Sequence, residues 1–396
     1  MMNAEFEYHH PKPKVSEYHY PTAFSRWDSL EEIAINRVIR SGRFTMGAEV
    51  AAFEEEFANY HGSRYGVMVN SGSSANLLMV ATLAELGLIK RGDKIVVPAL
   101  AWSTTYAPLV QYGLELILVD CDQATWNADY WSKEFNPQDA KLIMACSILG
   151  NPAPLEDIKS IAGVIVATLL EDNCESLGAA TNWDRVHLPR VTGTYGLMNS
   201  FSFFYSHQLS AIEGGMILTN DEDCYLTCKV LRAHGWTRDV EPTPPTFDEE
   251  YNFSAFGFNV RPTEIHAAVG REQLKKLDGF IKHRRANLEF FRLLTDGYPI
   301  QLQQHKEGSS PFGIAFTVES QTKRAKLARA LREQGIDCRL PTGGSFRLHK
   351  YGEPWANQLT PNADYIHTHG MFLGNGPFDL SHQIERAVDV LKKELM

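Results

Sequence analysis

The sequence predicts an α/β protein, with a large domain built on a mostly parallel sheet and a smaller α+β domain after it. Three observations lead there. From Tyr65 onward short apolar runs alternate with helical ones, the pattern that builds a parallel sheet covered by helices. The strand-like runs are continuous rather than alternating, as in Ile95-Val96-Val97, which suits strands buried on both faces. After Tyr298-Pro299 the pattern changes, and the remainder has the size of a small domain. The chain is therefore divided into an arm over residues 1–25, a large domain over 26–280 and a small C-terminal domain over 281–396.

Each element follows in turn. Residues up to about Tyr20 hold His, Pro, Lys and Tyr without periodicity and are expected to form an extended arm. From Trp27 to Arg40 the residues Leu30, Ile33, Ala34, Ile35, Val38 and Ile39 recur at helical spacing, and Ser41-Gly42 closes that helix. Val50–Tyr60 is expected to be a second helix. Strands are expected at Tyr65–Val69, Lys94–Pro98, Leu116–Val119, Leu142–Cys146 and Gly163–Leu170, with helices at Ala75–Leu88 and Thr104–Tyr112. Asp239–Tyr251, with Glu-Pro-Thr-Pro-Pro-Thr, is a loop. Pro262–Leu277 is a helix leading into an amphipathic segment through Arg292. In the last part Gly313–Val318 and Ile336–Leu340 are expected strands, and Gln321–Gln334 and His382–Leu395 expected helices.

Composition narrows the function. The 396 residues carry Lys+Arg 38 against Asp+Glu 48, a net charge of −10, which argues against nucleic acid or an anionic membrane as partner. No stretch approaches the roughly 18 apolar residues that span a bilayer, and the acidic N-terminus does not resemble a secretory signal. The six cysteines are scattered in apolar company, as in a reduced cytoplasmic protein. Cys224 and Cys228 lie four apart on an expected helix, but no His or Cys pair completes a metal site.

Several short runs carry chemistry. Ser71-Gly72-Ser73-Ser74-Ala75-Asn76 joins a strand to a helix, where glycine allows close approach and the first helical amides can bind an anion. The same residues would serve equally as a plain helix cap. Leu169–Glu175 is an apolar strand ending in acids, and the carboxyl end of a parallel strand is where ligands bind in open sheets. Pro98–Tyr106 follows a buried strand and presents Trp102, which could equally pack in a core.

Ser202 to Gly215, Ser-Phe-Phe-Tyr-Ser-His-Gln-Leu-Ser-Ala-Ile-Glu-Gly-Gly, resembles the cofactor-lysine segment of the DegT/DnrJ/EryC1/StrS sugar aminotransferases. These are fold type I enzymes of pyridoxal phosphate (PLP), so the resemblance implies an aspartate aminotransferase-like fold and a PLP-binding large domain. In that family a serine is followed five residues later by lysine, and six further on by Glu-Gly-Gly. Here Ser202 and Glu213-Gly214-Gly215 are in place, but the lysine position is His207. An imidazole cannot hold PLP covalently, and histidine there is similar to the nucleotide-sugar 3-dehydratases of the same family.

The resemblance then assigns roles. Gly72, Ser73, Ser74 and Ser202 would hold the cofactor phosphate, Trp102 would stack on its ring, and Asp172 would pair with the pyridine nitrogen. Glu175 would lie near the ring hydroxyl, where transaminases usually carry Gln or His. His207 would be the catalytic base and acid, since imidazole is mostly neutral at pH 7 whereas lysine, with a pKa of about 10.4, is not. Asn259, in Gly257–Pro262, would reach the cofactor phosphate of a neighbouring subunit, implying a homodimer with shared active sites; the alternative is a cap on the helix that Pro262 opens. His234, in Arg232–Arg238, either binds substrate or shapes a turn, and Arg339 is a candidate sugar contact. The implied activity removes the C3 hydroxyl of a nucleotide-linked 4-keto-6-deoxyhexose, GDP-linked by preference, with pyridoxamine phosphate (PMP) restored by L-glutamate. A related iron–sulfur branch shares the histidine, but the four-cysteine grouping it needs is missing here. The competing readings are a sugar aminotransferase using another lysine, and a catalytically silent binder of PLP or sugar nucleotide.

Overall fold

The computed structural model describes residues 18–132, 135–137, 139–181, 190–240 and 246–396. Most of the expected arm, residues 1–17, and residues 241–245 of the expected Asp239–Tyr251 loop lie outside the described residues.

Two helices come first, α1 (Ser29–Ser41) and α2 (Ala48–His61). Asp28 and Glu31 form a capping box on α1, satisfying amides that a helix start leaves open, and Gly42 ends it in the left-handed region at φ 67°. The large sheet takes β1 (Tyr65–Val69), β2 (Lys94–Pro98), β3 (Glu115–Val119), β4 (Ala140–Cys146) and β5 (Thr168–Asp172). Between them run α3 (Gly72–Glu85), α4 (Ser103–Gln111) and α5 (Leu155–Ile165). A short pair, β6 (Ala180–Thr181) and β7 (Arg190–Val191), precedes β8 (Met198–Ser202), β9 (Gly215–Thr219) and α6 (Glu222–Arg232). The seven strands are ordered β1-β9-β8-β5-β4-β2-β3, and only β9 runs against the rest. Ile95, Val96 and Val97 on β2 are fully buried because helices cover both faces. Helix α3 is apolar on every side, with Ala75, Leu78, Met79, Val80 and Leu83 all buried. Each such leucine side chain contributes about 1.5–3 kcal/mol on leaving water.

Helices α7 (Glu264–Leu274) and α8 (Leu277–Leu294) lead to a second sheet of four antiparallel strands. Its members are β10 (Ile300–Leu302), β11 (Gly313–Val318), β12 (Cys338–Arg339) and β13 (Gly370–Gly374), ordered β10-β11-β13-β12. Helices α9 (Gln321–Glu333), α10 (Pro361–His369) and α11 (Ser381–Leu395) accompany it. A separate apolar cluster that includes Phe291, Phe316, Leu331 and Leu391 forms its core. The chain before α1 also belongs here: Tyr20 pairs with Ile336, and Thr22 donates to Asp337 at 2.7 Å.

Three expectations change. The Gly163–Leu170 run is not one strand: α5 continues to Ile165, Val166 turns left-handed at φ 56°, and β5 starts at Thr168. Val164 and Val166 are 83% and 84% exposed, so two apolar residues at a solvent-facing helix end imitated a buried strand. The helix expected from Pro262 starts at Glu264, capped by Thr263, so Asn259 is not its cap. Of the Ile336–Leu340 strand only Cys338–Arg339 pairs in the sheet.

Candidate active site

The carboxyl ends of β1, β2, β4, β5 and β8 open into a cavity of about 320 Å³, closed on the far side by residues of the smaller sheet. One wall is the start of α3. Ser71 caps it, its Oγ accepting the Ser74 amide at 3.1 Å, while the amides of Gly72 and Ser73 in that first turn have no intrahelical acceptor. A side chain at Gly72 would strike Ser202 Cβ at 2.5 Å and Cys174 Sγ at 2.7 Å, so only glycine fits this close approach. Ser73 Oγ is 2.8 Å from Thr104 Oγ1.

At the end of β5, Asp172 is aimed by three donors. Its Oδ2 accepts from Asn76 Nδ2 and Thr105 Oγ1, each at 2.7 Å, and its Oδ1 accepts from the Cys174 amide at 3.1 Å. Asn76 is fixed in turn by Ser200 Oγ at 2.6 Å. Glu175 accepts one bond, from the Leu149 amide at 2.9 Å. Burial pushes its carboxyl up to about 8; the Leu149 amide opposes this and the charge of Asp172 adds to it. At neutral pH Glu175 is therefore mostly a neutral acid able to donate a hydrogen bond. The amide it meets is held by a tight turn, with Leu149 left-handed at φ 51° and Gly150 at φ 84°. Gly150 lies so close to the backbone of Ser310 that a Cβ would sit 1.8 Å from its carbonyl oxygen.

His207 lies on the loop between β8 and β9, and its amide donates to the Phe204 carbonyl at 2.9 Å. Its ring lies 5.1 Å from that of Phe312 and 6.0 Å from that of Phe204. Nδ1 is sealed from water without a hydrogen-bond partner. Burial, then the positive charge of Arg284, hold the imidazole down to about 3, against a small opposing effect of the Cys174 backbone. It is thus an uncharged base at neutral pH.

The other expected residues divide into two groups. Ser202 lines the cavity and its Oγ accepts the Phe204 amide at 3.3 Å. Trp102 forms the rim, 56% exposed, with Gly343 beside its ring. Arg339 also lines the cavity, 3.6 Å from Asp337. Ser74 stands just behind, on the capped turn. His234 and Asn259 are elsewhere. The exposed His234 is left-handed at φ 70° and donates its amide to Phe258 at 2.6 Å, the backbone of a turn. Asn259 is exposed, bridges Ala233 and accepts from Arg261 at 3.1 Å.

Sequence reasoning passed over Asn76 and Thr105, although both lie inside runs it singled out. It had no signal for Thr22, Phe312 or Thr342, which long-range folding brings to the cavity. Among the described residues no group of three or more His, Cys, Asp or Glu is placed to hold a metal, and no helix is long and apolar enough to cross a membrane. A phosphorylated pyridine fits what remains: open amides at a helix start, a clearance only Gly72 leaves, an oriented carboxylate and an aromatic face at the rim.

Comparison with known proteins agrees. The model of the DegT/DnrJ/EryC1/StrS aminotransferase family matches residues 27–392. The chain is 43% identical over 393 residues to GDP-4-keto-6-deoxy-D-mannose 3-dehydratase of Yersinia pseudotuberculosis, covering 94% of this chain and 98% of that one. Among solved structures, a mutant GDP-4-keto-6-deoxymannose-3-dehydratase with bound GDP-perosamine superposes with a TM-score of 0.88 at 40% identity, covering 94% and 100% of the two chains. The same enzyme with a trapped PLP–glutamate geminal diamine gives 0.86 at 41%, again covering 94% and 100%.

Proposed function

The chain belongs to the DegT/DnrJ/EryC1/StrS aminotransferase family, and from that premise we propose that it is a PLP-dependent sugar-nucleotide 3-dehydratase. It removes the C3 hydroxyl of a nucleotide-linked 4-keto-6-deoxyhexose, GDP-4-keto-6-deoxy-D-mannose by preference, and yields the 4-keto-3,6-dideoxy sugar used in O-antigen assembly. The observation that carries this reading is an imidazole, His207, lining the same cavity as Asp172 and Glu175 where the family's transaminases have an amine.

When bound, PLP and its amine form PMP supply an amino group for the 4-keto carbon and a ring that delocalises the electron pair left by a lost proton. The chain's residues do the rest. Gly72, Ser73 and Ser202, with Ser74 behind them, bind the phosphate through amides and hydroxyls. Asp172, its carboxylate oriented by Asn76 and Thr105, holds the proton on the pyridine nitrogen. Glu175, mostly uncharged, donates to the ring oxygen, and Trp102 covers the ring's face and excludes water.

His207 takes a proton at an imidazole nitrogen and delivers it to the departing C3 hydroxyl. Its buried imidazolium gives the proton up readily, because burial and Arg284 both disfavour the charged form. A lysine would tend to keep the nitrogen on the sugar; His207 lets oxygen leave instead.

Glutamate as amino donor and guanine as base rest on what the similar structures hold. A homodimer in which Asn259 reaches the partner's phosphate is part of this reading, supported by the exposed Phe253 and Phe256 beside it. Arg339 is proposed to contact the sugar nucleotide.

The test is a turnover panel of GDP-, CDP-, UDP- and dTDP-4-keto-6-deoxyhexoses with PLP and glutamate. Ammonia and a dideoxy ketosugar are expected, with the GDP substrate fastest and His207→Asn inactive. A stable amino sugar, or full activity in His207→Asn, would overturn the reading. Borohydride should fail to fix PLP on the wild-type chain and succeed on His207→Lys.

A further inference from the structure

Behind the imidazole stands a charged side chain whose hydrogen bonds the reaction does not account for. Arg284 on α8 is 1% exposed. Among the described residues no carboxylate pairs with it. Removing an unpaired guanidinium from water is costly, so such a group is kept only where its bonds matter. Those bonds go to backbone carbonyls. Nη2 donates to His207 at 3.1 Å, and Nη1 donates to Phe312 at 3.0 Å and to Asn375. Asn375 returns a bond from its Nδ2 to the Arg284 carbonyl at 3.0 Å. One guanidinium therefore fixes both the residue that bears the imidazole and the phenyl residue whose ring lies 5.1 Å from it.

The imidazole needs such a support. Its Nδ1 has no hydrogen-bond partner, so no acceptor side chain orients the ring from that atom. A lysine at this position would be located by its covalent bond to the cofactor; histidine must be located by the protein alone. Given the function proposed above, we infer that Arg284 is the positioning residue of His207, holding the imidazole against Phe312 through their two carbonyls. The rigid fork suits this task, since lysine cannot reach several carbonyls in fixed directions. The charge has a second effect, keeping the proton off the ring between turnovers. Other ionisable groups around the cavity are Asp172, Cys174, Glu175, Cys146, Glu213 and Arg339. Arg284 is the one whose charge bears on the imidazole.

The experiment combines kinetics with ¹⁵N-histidine NMR on the full-length, PLP-loaded chain, His207→Asn assigning the resonance. Arg284→Met should lower kcat by about 10- to 100-fold, the scale of a misplacement near 1 Å. KM should stay within about twofold, because the group binds no substrate. The imidazole should remain neutral down to pH 5 in the wild type, and its midpoint should rise in Arg284→Met while burial still holds it below the ordinary histidine range. Arg284→Lys should lose kcat while leaving the midpoint in place. A folded Arg284→Met with wild-type kcat and an unmoved midpoint overturns the inference. Should that variant not fold, wild-type kcat in Arg284→Lys overturns it. The dehydratase reading fails separately, on full turnover by His207→Asn.

Discussion

Replacing Gly72 by alanine should cost the cavity its phosphate cup and leave the fold standing. The added methyl would lie 2.5 Å from Ser202 Cβ and 2.7 Å from Cys174 Sγ, which is 0.9 Å and 0.7 Å inside the 3.4 Å where ordinary contact begins. The thiol can turn aside, but Ser202 cannot. It ends β8, pairs with Gly215 of β9, and Gly215 in turn pairs with Val69 of β1. The start of α3 must therefore move outward, into the space proposed for the phosphate. Overpacking of this kind costs about 1–3 kcal/mol. Taken from cofactor binding, that weakens PLP about 5- to 150-fold. Absorbance titration of cofactor-free protein measures it, and melting without PLP shows whether the fold survives. A second change, Cys174→Ala, removes one of the two collisions and should restore part of the affinity. PLP bound within twofold of wild type by Gly72→Ala would refute the assignment of the cup.

Three further outcomes follow from burial and space. Glu175, raised to about 8 in the folded chain from the ordinary 4.5, binds a proton in the folded state that it releases on unfolding, so its contribution to stability falls as pH rises from 4.5 to 8. Glu175→Gln should flatten that decline in melting temperature without PLP; an unchanged slope would count against the buried acid. His61, lowered to about 4 by burial, works in the opposite direction: its stability contribution is complete above about pH 6.5 and lost as pH falls towards 4. His61→Phe, set among Phe57 and Phe201, should soften the acid transition, and an identical transition would remove His61 as its cause. Gly279 on α8 has nothing within 4 Å of an added methyl, so Gly279→Ala should stabilise by about 0.5–1 kcal/mol in urea unfolding. A loss there would show that the helix needs its glycine.

The large sheet could be read where its strands are plain. Lys94–Pro98 came out within its observed limits because valine and isoleucine buried on both faces leave an unbroken apolar run. Strand β8 escaped notice because Asn199, Ser200 and Ser202 are polar, and their burial is supported by partners such as Asn76 and the Leu218 carbonyl that local pattern does not reveal. At the cavity it was the likeness of their motifs to the family's that grouped Gly72, Asp172 and His207, and all three line it. Thr22 could not be foreseen. It reaches the cavity through its bond to Asp337, 315 residues away, and no periodicity near Thr22 encodes that. The left-handed turn at Leu149 was equally hidden, since its amide meets Glu175 and its carbonyl meets Phe312, both distant in the chain.

That turn also decides how the protein can be recombined. Leu149 and Gly150 accept backbone bonds from Phe312 at 3.0 Å and Ser310 at 2.8 Å, and Gln208 donates to Ser310 from the loop that carries His207. Three distant stretches of chain are thus cut to one another's shape. A hybrid that borrows the C-terminal half of a relative to change sugar preference inherits a mismatched seam unless residues 148–150, 207–208 and 308–312 travel together. Swaps confined to the stretch around Arg339 and Thr342, which also lines the cavity, leave this joint untouched.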